Sequence, residues 1–154
     1  MTKEDALELH FPNAAVERKT VFLTEQQVQA IQQRAKAKVH SKIITYYVAR
    51  RSGDIQGYAF FDTHIVRTMP ETFVVVVGPD STVKALQILA FHEPEDYLPP
   101  QRWLTQFIRK VLDGDLWLKR GIQHISGATL SAQAITNEVR RLLAAFEIAI
   151  PKEH

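Results

Sequence analysis

The sequence contains no cysteine among its 154 residues, and this excludes disulfide bonds, thiolate metal sites, iron–sulfur ligation and thiol catalysis. The absence does not select a compartment, because exported proteins can also lack cysteine. The chain also lacks any run of the ~20 apolar residues that a membrane-spanning helix needs. Its first residues are charged and show no signal-peptide core. A cytoplasmic protein and the trimmed form of an exported protein are both compatible with this sequence.

A strong excess of either charge is missing as well. The chain has 19 basic and 17 acidic residues, a formal charge of +2. That small surplus gives a pI of 8.9 without indicating a nucleic-acid-binding protein. Apolar residues make up 45% and charged residues 23%, as in ordinary globular proteins. With no internal repeat and no linker, we expect one domain spanning residues 1–154.

Signatures of catalytic and metal sites are also missing. The six histidines are not paired at helical spacing, and HExxH does not occur, so we predict no metal site. There is no GxSxG elbow of a serine hydrolase and no phosphate-binding GxxxxGK[ST] loop. We therefore predict no catalytic residues of the chain's own.

The hydrophobic pattern predicts strands with helices on both sides. Thr24 resembles a helix N-cap, with Gln27 completing a capping box. The turn clusters 50–54 and 78–81 join successive strands, which indicates an antiparallel meander. The predicted helices cover residues 2–11, 25–38, 101–112 and 131–147, and the predicted strands cover 15–23, 43–49, 57–67, 72–77 and 83–91. The expected fold is a single α+β domain with an antiparallel β meander flanked by helices.

Hydroxyl residues and a glycine precede the last predicted helix. Ser126, Thr129 and Ser131 supply hydroxyl donors, and Gly127 allows the backbone to approach a ligand closely. A helix N-terminus with free N–H groups favours an anion such as phosphate. The same residue types also serve as ordinary helix N-caps. The pattern by itself therefore indicates either a phosphate site or a cap.

The run Ser126-Gly127-Ala128-Thr129-Leu130-Ser131, followed by a helix, resembles the FMN-binding domain family. That family includes the FMN-carrying subunits of the sodium-pumping quinone reductase and of Rnf-type electron-transport complexes. The order of elements fits over residues 40–147, preceded by an N-terminal helical segment of residues 1–39. The resemblance implies that Thr129 carries FMN through a phosphoester bond, installed by a separate FMN transferase, and that the rest of the run surrounds the cofactor.

The resemblance also nominates residues outside that run. Glu93 lies in the loop that the family places near the cofactor. Trp103 and Phe107 belong to a Trp-Leu-x-x-Phe segment and are candidates to face the flavin ring, although aromatic residues on an amphipathic helix usually belong to the core. Lys110 is a candidate to neutralise the phosphate or the reduced flavin, or else an ordinary solvated lysine. Gln123 stands where the family's transferase signal usually has Asp, so covalent and non-covalent FMN both remain open.

Three alternative functions for this chain follow from the sequence. The first is an electron-transfer flavoprotein domain that works with redox partner proteins, membrane electron-transport components among them; by family habit such a domain is periplasmic. The second is a flavin-dependent reductase of a small substrate. The third is a non-redox interaction module in which the loop is only a helix cap. We favour an electron carrier over a stand-alone enzyme, because the flavin supplies the redox chemistry and the protein positions it.

Overall fold

The computed structural model describes residues 1–66, 69–91, 99–118, 120–123 and 129–152, with the backbone alone described at residues 64–66, 69–70, 90–91 and 129–130. The elements confirm the predicted α+β class. In chain order they are α1 (Lys3–His10), β1 (Ala15–Phe22), α2 (Glu25–Ala35), β2 (Ile43–Arg51), β3 (Asp54–Val66), β4 (Met69–Val77), β5 (Val83–Phe91), α3 (Gln101–Leu104) with a following 3₁₀ turn (Thr105–Phe107), and α4 (Thr129–Ala149).

The five strands form one sheet in the order β1-β2-β3-β4-β5, and each neighbouring pair is antiparallel. The predicted meander is therefore confirmed. The β2–β3 connection is tight because Ser52 and Gly53 both have positive φ, 54° and 85°, as a type I′ hairpin turn requires. The sequence cluster that predicted this turn ends at Asp54, which pairs with Arg51 across the hairpin.

Both faces of the sheet are covered. In β4, Phe73 and Val75 belong to the main core, which α2 and α4 cover. Val74 and Val76 face the other way into a smaller cluster with Ala6 of α1. The continuous apolar run of β4 thus reflects a strand that is buried on both sides.

The main core is rich in aromatic rings between the sheet and α4. Phe146 lies with its ring centroid 4.8 Å from that of Tyr58, at an interplanar angle of 68°. The same ring meets Phe60 edge-on at 6.3 Å. These contacts fix α4 across the centre of the sheet.

Helix α2 begins where the sequence predicted. The Thr24 hydroxyl accepts the Gln27 N–H at 3.1 Å, and the Gln27 side chain accepts the Thr24 N–H at 2.9 Å. The helix ends at Ala35, three residues before the predicted end at 38, because Lys36 adopts a left-handed conformation with φ 55°. The Gln32 side chain then accepts the N–H of Val39 at 2.9 Å, so the chain has left the helix there.

Replacing Thr24 by alanine removes one half of this capping box. We expect the free energy of unfolding to fall by about 1 kcal/mol, measured by urea denaturation. The exposed Gln33→Ala on the same helix is the matched control and should change stability by less than about 0.5 kcal/mol. Equal losses in the two variants would contradict a capping role for Thr24.

The predicted helix over 101–112 is wrong beyond Phe107. Ile108 has an extended backbone, and Arg109 has a positive φ of 70°. This segment instead pairs with β5: Arg109 N–H donates to the Val83 carbonyl at 2.7 Å, and Val83 N–H donates to the Lys110 carbonyl at 3.0 Å. The apolar spacing continues to Leu112, which is buried, because the segment after the 3₁₀ turn also lies against the core.

Strand β1 forms one edge of the sheet. Most of its side chains are exposed, and three charged residues in a row, Glu17, Arg18 and Lys19, occupy its middle.

In the described part of the chain, no helix combines the length and apolar character needed to cross a bilayer.

Candidate functional site

The helix that follows the Ser-Gly-Ala-Thr run begins at Thr129, two residues earlier than predicted. Its side chain and that of Leu130 lie outside the described residues, as do Ser126, Gly127 and Ala128. The described backbone therefore defines the end of this loop at the first turn of α4, where N–H groups lack intrahelical partners.

Ser131, the third residue of α4, is buried and points away from solvent. Its hydroxyl lies 2.8 and 3.0 Å from the two carboxylate oxygens of Glu71, which is itself completely buried on β4. A serine hydroxyl has a single proton, so Ser131 cannot donate it to a phosphate while it is bonded to Glu71. Glu71 was not predicted, since nothing in the sequence distinguishes it from a solvated strand residue.

The chain enters the loop from a fixed point at Gln123. The indole N–H of Trp103 donates to the Gln123 carbonyl at 2.6 Å. The side-chain carbonyl of Gln106 accepts the Gln123 N–H at 2.8 Å. Both backbone groups of Gln123 are thus held, while its side chain is exposed. Gln106 is a second functional candidate that the sequence did not reveal.

The two aromatic candidates lie close together in the core. Trp103 is 3% exposed and Phe107 is fully buried, and their rings meet edge-on with centroids 5.3 Å apart. Both rings therefore pack within the core, and their contact with a flavin ring stays a prediction. Lys110 is half-buried and lies beyond the end of the 3₁₀ turn, so its predicted place on a helix is wrong. Glu93 lies outside the described residues.

The segment before the loop is folded tightly on itself. Gly121 donates its N–H to the Asp115 carbonyl at 2.7 Å, and a Cβ added at this glycine would lie 2.3 Å from the same oxygen. Only glycine therefore fits at this position without a shift of the backbone. The sequence over 115–125 predicts either short irregular structure or a small strand, and the described part of this segment contains this turn and a bridge between Leu118 and Ile122.

A buried arginine anchors the same segment to two helices. Arg140 of α4 donates to the carbonyl oxygens of Ala35 at 2.8 Å, Leu116 at 2.9 Å and Asp113 at 3.2 Å. Its guanidinium carbon lies 3.9 Å from the centroid of the Trp117 ring. Burial is the main cause that lowers the pKa of Arg140, and the nearby Arg34 lowers it further. The sequence pattern did not single out this arginine.

These elements define a class of domain: a five-stranded antiparallel meander with a long C-terminal helix, preceded by a loop whose entry is held by the core. The structure is similar to the crystal structure of NqrC from Shewanella oneidensis, with a TM-score of 0.62 and 15% sequence identity over 94% of this chain and 84% of that one. The resemblance drawn from the sequence is therefore confirmed at the level of the fold. No family model and no curated protein matches the sequence.

Proposed function

We propose that this chain is a small electron-transfer domain that carries FMN, attached through its phosphate to Thr129. The observation that supports this most is the position of Thr129 at the first residue of α4, in a chain with the fold of NqrC. NqrC is the FMN-carrying subunit of a sodium-pumping quinone reductase. Together with the Ser-Gly-Ala-Thr run, this makes an FMN phosphoester the best-supported use of the loop.

The described residues around Thr129 fit a phosphate group. The first turn of the 21-residue helix α4 directs its N–H groups and the positive end of its dipole toward the loop, which favours a phosphate by about 0.3–1 kcal/mol. Since Ser131 is bonded to Glu71, backbone N–H groups are the donors that the described part of this helix end offers to the phosphate. The carboxylate of Glu71 repels an anion, so the phosphate belongs on the loop side of the helix end.

The cofactor would supply the electron transfer, and the protein would hold it and set its surroundings. The fixed backbone of Gln123 and the start of α4 bound the loop at its two ends. We propose redox partner proteins as donor and acceptor, membrane electron-transport components among them, and an extracytoplasmic location. An FMN transferase would install the cofactor.

Producing the chain together with an FMN transferase tests the proposal. We expect intact-mass spectrometry to show the increment of one FMN phosphoryl group, and Thr129→Ala to remove it completely. Thr105→Ala, which changes an exposed hydroxyl, is the control and should keep the full increment. An increment that persists in Thr129→Ala would move the attachment elsewhere.

The other functions are separated by the same preparations. Yellow protein whose flavin is lost on denaturation would indicate non-covalent FMN, as the exchange of Asp for Gln123 allows. Turnover of a small substrate with a nicotinamide donor would favour a flavin-dependent reductase. Protein that stays colourless after production with the transferase would favour an interaction module.

A further inference from the structure

A second candidate site lies in a cavity that Ile31 of α2 lines on one side. The cavity has a volume of about 560 Å³ and lies between α2, β2, β3 and α4. This volume is typical of small-molecule sites. Most of its wall is apolar, and the members of that wall are Leu23, Ile31, Val39, Ile43, Ile44, Phe60, Phe61, Ala134, Leu142 and Ala145. The cavity reaches solvent along an exposed rim formed by His40, Ser41, Ile43 and Thr63.

Three charged side chains line one part of the cavity: Asp62 of β3 and Glu138 and Arg141 of α4. Glu138 is only 7% exposed. It forms an ion pair with the Nη1 of Arg141, and its carboxyl group is close enough to that of Asp62 for the two groups to interact electrostatically. The Nε of Arg141 is buried and has no hydrogen-bond partner within the described part of the chain. The hydrogen-bonding groups of these charged side chains are therefore not all satisfied within the described residues.

The charges of this group leave room for one more cation. With both carboxylates ionised, the two negative charges exceed the single positive charge of Arg141. Burial is the largest cause that raises the pKa of Glu138, to about 9, and the neighbouring carboxyl group of Asp62 raises it further. At neutral pH a proton on Glu138 thus takes the place of a second positive charge. His40, on the segment between α2 and β2, is the other titratable side chain in the described lining.

We propose that this cavity binds a small organic cation with an apolar body. The ammonium group lies between the carboxylates of Asp62 and Glu138, and the hydrocarbon body lies against the apolar wall. Binding replaces the proton of Glu138 by the ligand's positive charge, so the proton passes to the solvent. A neutral ligand of the same shape has the apolar contacts but leaves the proton in place.

This site is separate from the proposed FMN site and does not depend on it. On α4 its lining begins at Ala134 and ends at Ala145, whereas Thr129 is five residues before Ala134, about 7.5 Å along the helix axis. A cation should therefore bind equally to the chain with and without FMN. The failure of one proposal leaves the other intact, because the cation measurement needs no flavin.

Isothermal titration of the full chain with 2-phenylethylammonium tests the proposal. We expect saturable binding with the release of close to one proton, counted by comparing buffers of different ionisation enthalpy. The affinity should rise by up to ~10-fold per pH unit as the pH increases toward about 9, the pKa of free Glu138, and then level off. The neutral probe 2-phenylethanol should bind more weakly and release no proton.

Variants of the acidic pair complete the test. Glu138→Gln should weaken cation binding by ~10-fold or more and abolish the proton release, while leaving 2-phenylethanol unaffected. Glu147→Gln is the matched control, since Glu147 lies on the same helix outside the cavity lining and pairs with Arg34; it should bind as the unchanged chain does. Absent cation binding, equal binding of the two probes, an unaffected Glu138→Gln, or loss of binding in the FMN-loaded chain would each overturn the proposal.

Discussion

Replacing Arg140 by alanine is expected to lower the free energy of unfolding by about 3 kcal/mol or more. The substitution removes the guanidinium donor from the carbonyl oxygens of Ala35, Leu116 and Asp113, of which that of Asp113 keeps the N–H of Leu116 as a second donor. It also removes the cation from the face of Trp117. Since domains of this size are stable by only about 5–15 kcal/mol, chemical denaturation should detect the loss readily.

Two further variants separate hydrogen bonding from charge at this position. Arg140→Lys keeps the positive charge but lacks the planar fork that reaches several carbonyls at once, so we expect an intermediate loss. Arg102→Ala removes an exposed guanidinium and should change stability by less than about 0.5 kcal/mol. If Arg140→Ala cost no more than Arg102→Ala, its buried hydrogen bonds would not contribute to stability.

Replacing Ser131 by alanine is expected to cost about 2–3 kcal/mol, because the buried carboxylate of Glu71 then loses its hydroxyl donor. Glu71→Gln removes the charge and should make the loss of the hydroxyl less costly. We therefore expect the double variant to be more stable than the sum of the single effects predicts, by about 1–2 kcal/mol. Denaturant unfolding of the unchanged chain, the two single variants and the double variant gives this coupling energy directly.

The same four proteins bear on the proposed FMN site. Ser131 lies two residues after Thr129, so losing its contact with Glu71 loosens the first turn of α4. We expect slower FMN attachment in Ser131→Ala, measured as the growth of the mass increment over time with the transferase in excess.

In the unfolding measurements, strictly additive stability losses would contradict a direct interaction between Ser131 and Glu71.

Local sequence signals predicted the local structure well. The Thr24–Gln27 capping box and the Ser52-Gly53 turn depend on residues close together in the chain, and both were found where expected. The apolar run over residues 72–77 also predicted a strand, and it lies in β4. The predicted helix over 101–112 was too long because its apolar spacing has a second explanation: Leu112 is buried in the irregular segment that follows the 3₁₀ turn, and Arg109 and Lys110 of that segment bond to β5.

The contacts that organise the candidate site could not be predicted in this way. Ser131 meets Glu71 across 60 residues of sequence, and Arg140 meets Ala35 across 105. The sequence pattern singled out neither Glu71 nor Arg140, and each becomes notable only when the fold removes it from water. The motif around Thr129 was visible because consecutive residues form it, whereas the cavity at Glu138 joins β3 and α4 and leaves no local pattern.

The charged middle of β1 has a consequence for solubility during folding. An edge strand presents free backbone groups on which another chain can add a strand, and this is a common route to insoluble aggregates. Placing Glu17, Arg18 and Lys19 in succession puts charges on both sides of the strand, so a second copy stacking in register would bring like charges together. Strand β1 thus disfavours edge-to-edge pairing between two copies of the chain, and this effect does not depend on a cofactor.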